Sequence, residues 1–331
     1  MADASMPSSS SSPAPALVNG VSRGGMAATV QRRVALGVMV LPALGFVVAI
    51  ALALRVGITA FEIGLLVVSY ALTMFGVTAG FHRHFAHRAF KTSRFMRVVL
   101  AALGSMTGQG PLLFWVASHR RHHAYSDGPG DPHSPNLHGD GFGGRLRGFW
   151  HAHMGWMLGD EVTSIDRFAH DLLRDRFAFR LHTAYLRWFF LGLVLPAVLG
   201  WLVLGGGLGA VRGFLWGGLV RVFLVNQAAW CVGSVCHVMG RRSFPTPDNS
   251  GNVAWVAWIT FGEGLQNNHH AFPSSAMHAL ARLEPDVSGW TLLVLRKLGV
   301  VWDLKIPSPH VRAEARNRAY PNLDPKFQDI L

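Results

Sequence analysis

Charge is scarce in this sequence: 15% of its 331 residues are Asp, Glu, Lys or Arg, against about a quarter in soluble domains. The deficit argues against a soluble globular chain. Cysteine is scarcer still. Cys231 and Cys236 both lie in an apolar stretch, so neither a disulfide framework nor a zinc knuckle is available. No Cys-x-x-Cys pair exists for an iron–sulfur or rubredoxin centre. No Gly-x-Gly-x-x-Gly fingerprint opens a βαβ unit; the glycine-rich 205–209 lies between apolar runs. Electrons for any redox chemistry must then come from another protein. Glutamate is rare as well, with five in the chain, and none forms Glu-x-x-His, the motif of helix-bundle di-iron carboxylate proteins.

What is present is apolar and basic. Half of the residues are hydrophobic, and the net charge is +12 with histidine neutral. A basic excess can serve nucleic acid, but the long apolar runs assign it to the anionic inner leaflet of a membrane. Membrane lipid is the expected partner, and no nucleic acid. Residues 1–30 are rich in Ser, Pro, Ala and Gly, with serine unbroken from Ser8 to Ser12; they are expected to be a disordered tail. They lack the basic-then-apolar order of a secretory signal. Residues 31–310 are expected to form one membrane domain, and 311–331 a C-terminal tail.

Apolar runs at about 34–54, 58–81, 188–204 and 214–236 approach or exceed the roughly 20 residues that cross a bilayer. Arg23, Arg32 and Arg33 precede the first run. Arg83, Arg88, Lys91, Arg94 and Arg97 follow the second, whereas the short links carry only Arg55 and Arg212. The positive-inside rule then predicts four spans in the cytoplasmic membrane, with the N-terminal tail and both polar regions in the cytoplasm. A weaker stretch at 96–117, interrupted by Gly104, Thr107, Gln109, Gly110 and Pro111, is expected not to cross. Arg221, Asn226 and Gln227 in the last run must face protein or water.

The anomaly is histidine, 17 in all and clustered. His82, His84 and His87 end the second run. His119, His122 and His123 follow at i, i+3 and i+4, one face of a helix. His269 and His270 are adjacent, with Gln266 three residues earlier, and His237 stands alone after the last run. A single surface histidine is unremarkable, but three groups on one face of a membrane are not produced by chance packing. Converging imidazoles repel if protonated, and a transition metal on neutral rings removes that problem. A zinc site needs about four ligands, so eight histidines and an amide fit two metals better. Imidazole suits iron, copper and zinc alike.

The runs HRHFAHR (82–88), HRRHH (119–123) and QNNHH (266–270) resemble the three histidine boxes of the membrane fatty acid desaturases, the stearoyl-CoA desaturase branch. Gly80-Phe-His82, Asp131-Pro-His133, Gly148-Phe-Trp-His-Ala-His153-Met-Gly-Trp156 and Gly262-Glu-Gly264 extend the similarity over about 35–310. The resemblance implies an all-α integral membrane fold: four transmembrane helices under a cytosolic helical cap carrying a histidine-rich di-metal site. It implies two irons, O2 as co-substrate, and an external donor, which is a b-type cytochrome, ferredoxin or rubredoxin with its reductase. The implied reaction places a cis double bond, at the delta-9 position, in a long fatty acyl chain. Position by position, His82, His87, His119, His122, His123, His237, His269 and His270 match the family's metal ligands. Two positions depart. Gln266 replaces a histidine, as in a bacterial subgroup, and its amide can ligate iron or hold a water. Gly233 replaces an asparagine that holds a metal-bound water.

The rest of the site is read more coarsely. His82 and His87 fall about 140° apart on an α-helix, so a break in the helix is expected between them. His84 is expected off the metal, and His133, His151 and His153 to shape the cap or the substrate path. Phe114, Trp115, Trp150 and Trp156 are candidates for the wall of an acyl tunnel. Arg120, Arg121, Arg145 and Arg147 are candidates for an anionic head group. Two rivals stand beside desaturation. A related membrane di-iron hydroxylase or monooxygenase would use the same histidines, and a histidine-rich metal transporter or sensor would need no reaction.

Overall fold

The computed structural model describes residues 17–319. Strand β1 (Val21–Arg23) leads into helix α1 (Gly25–Val56), which reaches Gly57 and turns back. Helix α2 (Ala60–Phe75) begins with a capping box in which Thr59 and Glu62 satisfy each other's backbone N–H groups. It continues without a break as a π-helix over Gly76–Ala86. Strand β2 (Lys91–Thr92) and helices α3 (Arg94–Ser105) and α4 (Leu112–Tyr125) follow. At ~1.5 Å per residue neither helix crosses a bilayer, so the 96–117 stretch is split. Between them Gly108 and Gly110 take φ of 80° and 102°, a backbone that side chains oppose.

Helix α5 (Phe142–His153), strand β3 (Glu161–Thr163) and the short helices α6 (Ile165–Phe168), α7 (His170–Arg174) and α8 (Arg176–Thr183) form the first extramembrane region. Helices α9 (Tyr185–Leu204) and α10 (Gly206–Gly213) then pack through glycine, since a Cβ on Gly209 would lie 2.5 Å from the Gly200 carbonyl. A π-helical stretch (Phe214–Val220) joins α10 to α11 (Arg221–Ser234), and a 3-10 turn ends it at His237. Beyond lie α12 (Ala254–Ile259), α13 (Gln266–Ala271), α14 (Val287–Lys297), strand β4 (Val301–Trp302) and α15 (Pro309–Ala319). Among the described residues the strands form two antiparallel pairs, β1 with β3 and β2 with β4.

Among the described residues four helical stretches are long and apolar enough to cross a membrane: Gly25–Val56, Ala60–Ala86, Tyr185–Leu204 and Gly206–His237. They coincide with the four expected runs, the second starting at Ala60 rather than 58. Buried charge within them finds partners inside the protein. Glu62 is buried and accepts from Arg212 at 2.5 and 2.8 Å. Arg221 is buried and donates to the carbonyls of Met106, Gly192 and Gly217, tying the α3–α4 turn to two spans.

The tail differs from expectation. Residues 1–16 lie outside the described residues, but Val21–Arg23 pair with Glu161–Thr163, and α1 starts at Gly25. The ladder and the Arg23–Glu161 ion pair at 3.0 Å give this stretch partners far along the chain, which composition could not reveal. Of 311–331, α15 covers the part to Ala319, and 320–331 lie outside the described residues.

Candidate metal centre

Local geometry sorts the histidines into two groups. In the π-helix the His87 N–H donates to the His82 carbonyl five residues back, at 3.1 Å. This wider turn brings the His82 and His87 rings to 4.9 Å of each other, so the expected break is a change of helix type. On α4, His119 and His123 share a side with rings 4.6 Å apart, while His122 turns away. On α13, His269 faces one way, and Gln266 with His270, one turn on, faces the other. His82, His87, His119, His123 and His269 form the first group, their ligand nitrogens within 4.8 Å of one another; His122, His237 and His270 form the second. The three-residue faces expected from spacing are therefore divided between the two groups.

Carboxylates hold the far side of four of these rings. Asp131 stands 3.0 Å from Nδ1 of His122, Asp127 2.8 Å from that of His237, and Asp248 2.5 Å from that of His270. Glu263 meets Nδ1 of His82. Burial opposes the charge on Asp127, Asp131 and Asp248, but the facing imidazoles outweigh it and hold all three well below the usual carboxylate range. An ionised carboxylate only accepts, so each Nδ1 is the donor, and in the neutral ring a metal would bind, Nε2 carries the lone pair. Burial, then neighbouring positive charge, pushes His87 down to about 3 and His119, His123 and His269 well below their ordinary value. These rings are neutral at pH 7.

Whether a metal fits follows from those lone pairs. Nε2 atoms meet at 2.7 Å (His87 and His119), 2.8 Å (His123 and His269) and 3.0 Å (His82 and His269). Five rings facing inward this closely place their nitrogens where one cation could take several of them as ligands. In the second group His122 Nε2 and Gln266 Oε1 are buried without a hydrogen-bond partner among the described residues. Imidazole backed by carboxylate is the arrangement that orients rings on a transition metal, so both groups can hold one.

Next to the groups runs a cavity of about 720 Å³, reached by His82, His119, His122 and Gln266. Trp115 and Trp156 line it; the Trp115 ring stacks on His119 at 5.1 Å. Phe114 lines it as well. Trp150 does not: it is 54% exposed on α5, because its helix turns Ala152 inward instead. Arg120 and Arg121 also depart from the reading as head-group residues. Arg120 donates to Asp171 and to the carbonyls of Phe85, Ala86 and Phe168. Arg121 is buried against Glu161, Thr163 and the Gly130 carbonyl. Their guanidinium groups are committed inside the fold, whereas Arg145 and Arg147 stay exposed.

His84 lies apart, its Nδ1 3.2 Å from the Phe90 carbonyl. His133 stacks on His122 at 4.4 Å and lines the cavity. His151 meets the Pro132 carbonyl, and His153 bridges Ser234 and Gln227. The sequence reading missed the carboxylates Asp127, Asp131, Asp248 and Glu263. It also missed His278, buried 4.7 Å from the His269 ring. Asp131 and Glu263 sit in quoted motifs, which was their only signal. Nothing near Asp248 in the chain announces it, because it reaches His270 from a separate loop.

A family model described as fatty acid desaturase matches residues 59–291. The chain belongs to the fatty acid desaturase family. This desaturase is 48% identical over 271 residues to a hex-5-enoyl-[acyl-carrier protein] acetylenase of Moorena producens, covering 81% of this chain and 84% of the relative. It is 35% identical to an sn-1 stearoyl-lipid 9-desaturase of Synechocystis, covering 74% and 72%. It is 36% identical to an acyl-CoA C20 Delta5-desaturase of Anemone leveillei, covering 71% and 70%. The chain is thus an oxidoreductase of the desaturase family.

Proposed function

We propose that this desaturase uses two irons and O2 to remove two hydrogens from a fatty acyl chain lying in the cavity. The observation that carries this is the pairing of two imidazole groups with an apolar cavity running up to them. Residues 31–310 are the catalytic unit. His82, His87, His119, His123 and His269 hold one metal; His122, His237 and His270, with Gln266, hold the other. Iron at these positions supplies the oxidising power that side chains lack.

The protein's own groups do the rest. Asp127, Asp131, Asp248 and Glu263 keep a proton on Nδ1 and so present Nε2 to the metal. Trp115, stacked on His119, walls the chain against the centre, and the apolar lining excludes water. By the arginine distribution the centre faces the cytoplasm, where an external electron donor can reach it. The 9-desaturase relative supports a delta-9 double bond in a long chain. The acetylenase relative, at 48% identity, favours a second reading: dehydrogenation of a chain that already carries a double bond. The three relatives' names place the acyl group on carrier protein, lipid and CoA, so each carrier belongs in the test.

Fatty acids from a host expressing the protein, analysed by gas chromatography with mass detection, separate these readings. A desaturase product is two hydrogens lighter, an acetylenase product carries a triple bond, and a hydroxylase product gains oxygen. Unchanged lipids with intact electron supply would remove the proposal. Close to two irons per purified chain are expected, and full activity with one would sink the di-iron assignment.

A further inference from the structure

The last span carries an amide that the metal centre does not use. Asn226 is buried, and its Nδ2 donates to the Thr107 carbonyl at 3.3 Å. Gln109 accepts the Trp115 indole N–H through Oε1 at 2.9 Å, and its own backbone N–H reaches the Thr107 hydroxyl at 3.4 Å. These bonds fix which way each amide points. They leave an acceptor, Asn226 Oδ1, and a donor, Gln109 Nε2, buried without a partner among the described residues. Both residues line the cavity, and both are tied to Thr107.

A saturated hydrocarbon laid along this wall satisfies neither atom, and unpaired buried polar atoms are costly. A carbonyl accepts from Gln109 but gives Asn226 nothing. A hydroxyl answers both, because its O–H donates to Asn226 Oδ1 while its oxygen accepts from Gln109 Nε2. We propose that Asn226 and Gln109 form a hydroxyl-recognising subsite, and that the substrates include acyl chains bearing a hydroxyl along their length. This rests on the reading that an acyl chain occupies the cavity. Substrate specificity is then set by a polar pair inside an otherwise apolar tunnel, where hydrogen-bond mismatch discriminates more strongly than shape.

The test is binding, measured by titration calorimetry on the purified full chain in lipid nanodiscs. The probes are positional series of monohydroxy octadecanoic and monohydroxy hexanoic acids, each beside its unsubstituted parent. One positional isomer is expected to bind about tenfold tighter than its parent, the size of two ordinary net hydrogen bonds. Asn226→Leu should bring that ratio close to one. Gln109→Met, which has similar length and no donor, should do the same and covers the case in which Asn226→Leu does not fold. If no isomer binds tighter than its parent, as when a water serves both amides, the subsite is overturned. A preference that survives both substitutions overturns it too. Failure of the underlying reading looks different: no acid of either series would bind at all.

Discussion

The side-chain amide of Gln266 reaches His270, with its Nε2 2.9 Å from the imidazole Nε2. In this orientation the amide donates to the lone pair that a metal would take. A half-turn of the amide brings Oε1, buried and without a partner among the described residues, to the same place as an acceptor. We expect Gln266→Ala to lower activity strongly and to reduce iron from about two toward one per chain. Gln266→His should retain iron, because imidazole is a good iron ligand. Iron content and product yield measured on all three proteins decide the point. Equality of Gln266→Ala with wild type in both would end the ligand role.

Removing one imidazole from either group should be severe. His122→Ala and His269→Ala each take a ring whose Nε2 points into a group, so desaturation should vanish while the protein still inserts in the membrane, since the spans lie elsewhere. His84→Ala loses only a bond to the Phe90 carbonyl and should keep substantial activity. Activity assays on membrane fractions check all three, and loss at His84 would reassign the first box.

Asp248 offers a subtler test. Removing its carboxylate in Asp248→Ala frees the His270 tautomer and ring orientation. Outer-partner losses of this kind cost roughly 10–100-fold in metal affinity. Chelator titration should show one of two irons leaving the variant first, and identical release curves would exclude the orienting role.

Arg120 was a candidate for the substrate head group and is instead a strut. Burial raises the Asp171 carboxyl, but Arg120 and Arg88 outweigh it and hold it down to about 2. The pair's contribution is therefore fully present above the ordinary carboxylate pKa of about 3.9 and is lost as pH falls through about 2. Arg120→Ala should lower stability at neutral pH by about 1–2 kcal/mol, a partly exposed pair being screened while three carbonyls lose a donor. Thermal melts in detergent should drop at neutral pH with KM nearly unchanged. A large rise in KM without a melt shift would restore the head-group reading.

Much of this was legible in the chain because it depends on local composition. Four candidate spans follow from apolar runs, and seven of the eight clustered histidines lie in boxes whose spacing is short, with His237 apart from them. The division into two groups was not legible, since His122 and His119 share a helix but answer to different partners. The carboxylates escaped for the same reason: Asp248 meets His270 across 22 residues and Asp127 meets His237 across 110. Gln227 was singled out as a polar residue within a span and proves to meet His153 on α5.

The pairing of β1 with β3 also orders the making of the protein. Arg23 and Glu161 are separated by 138 residues, about 7–28 s of synthesis at ~5–20 residues per second. Helix α1 has therefore left the ribosome well before the strand that fixes its leading end exists. Its residues Val34 and Val38 line the cavity, so the substrate chamber keeps one wall unanchored until the middle of the chain has been made. A nascent chain halted before residue 161 holds every histidine of the first two boxes and still has no closed chamber.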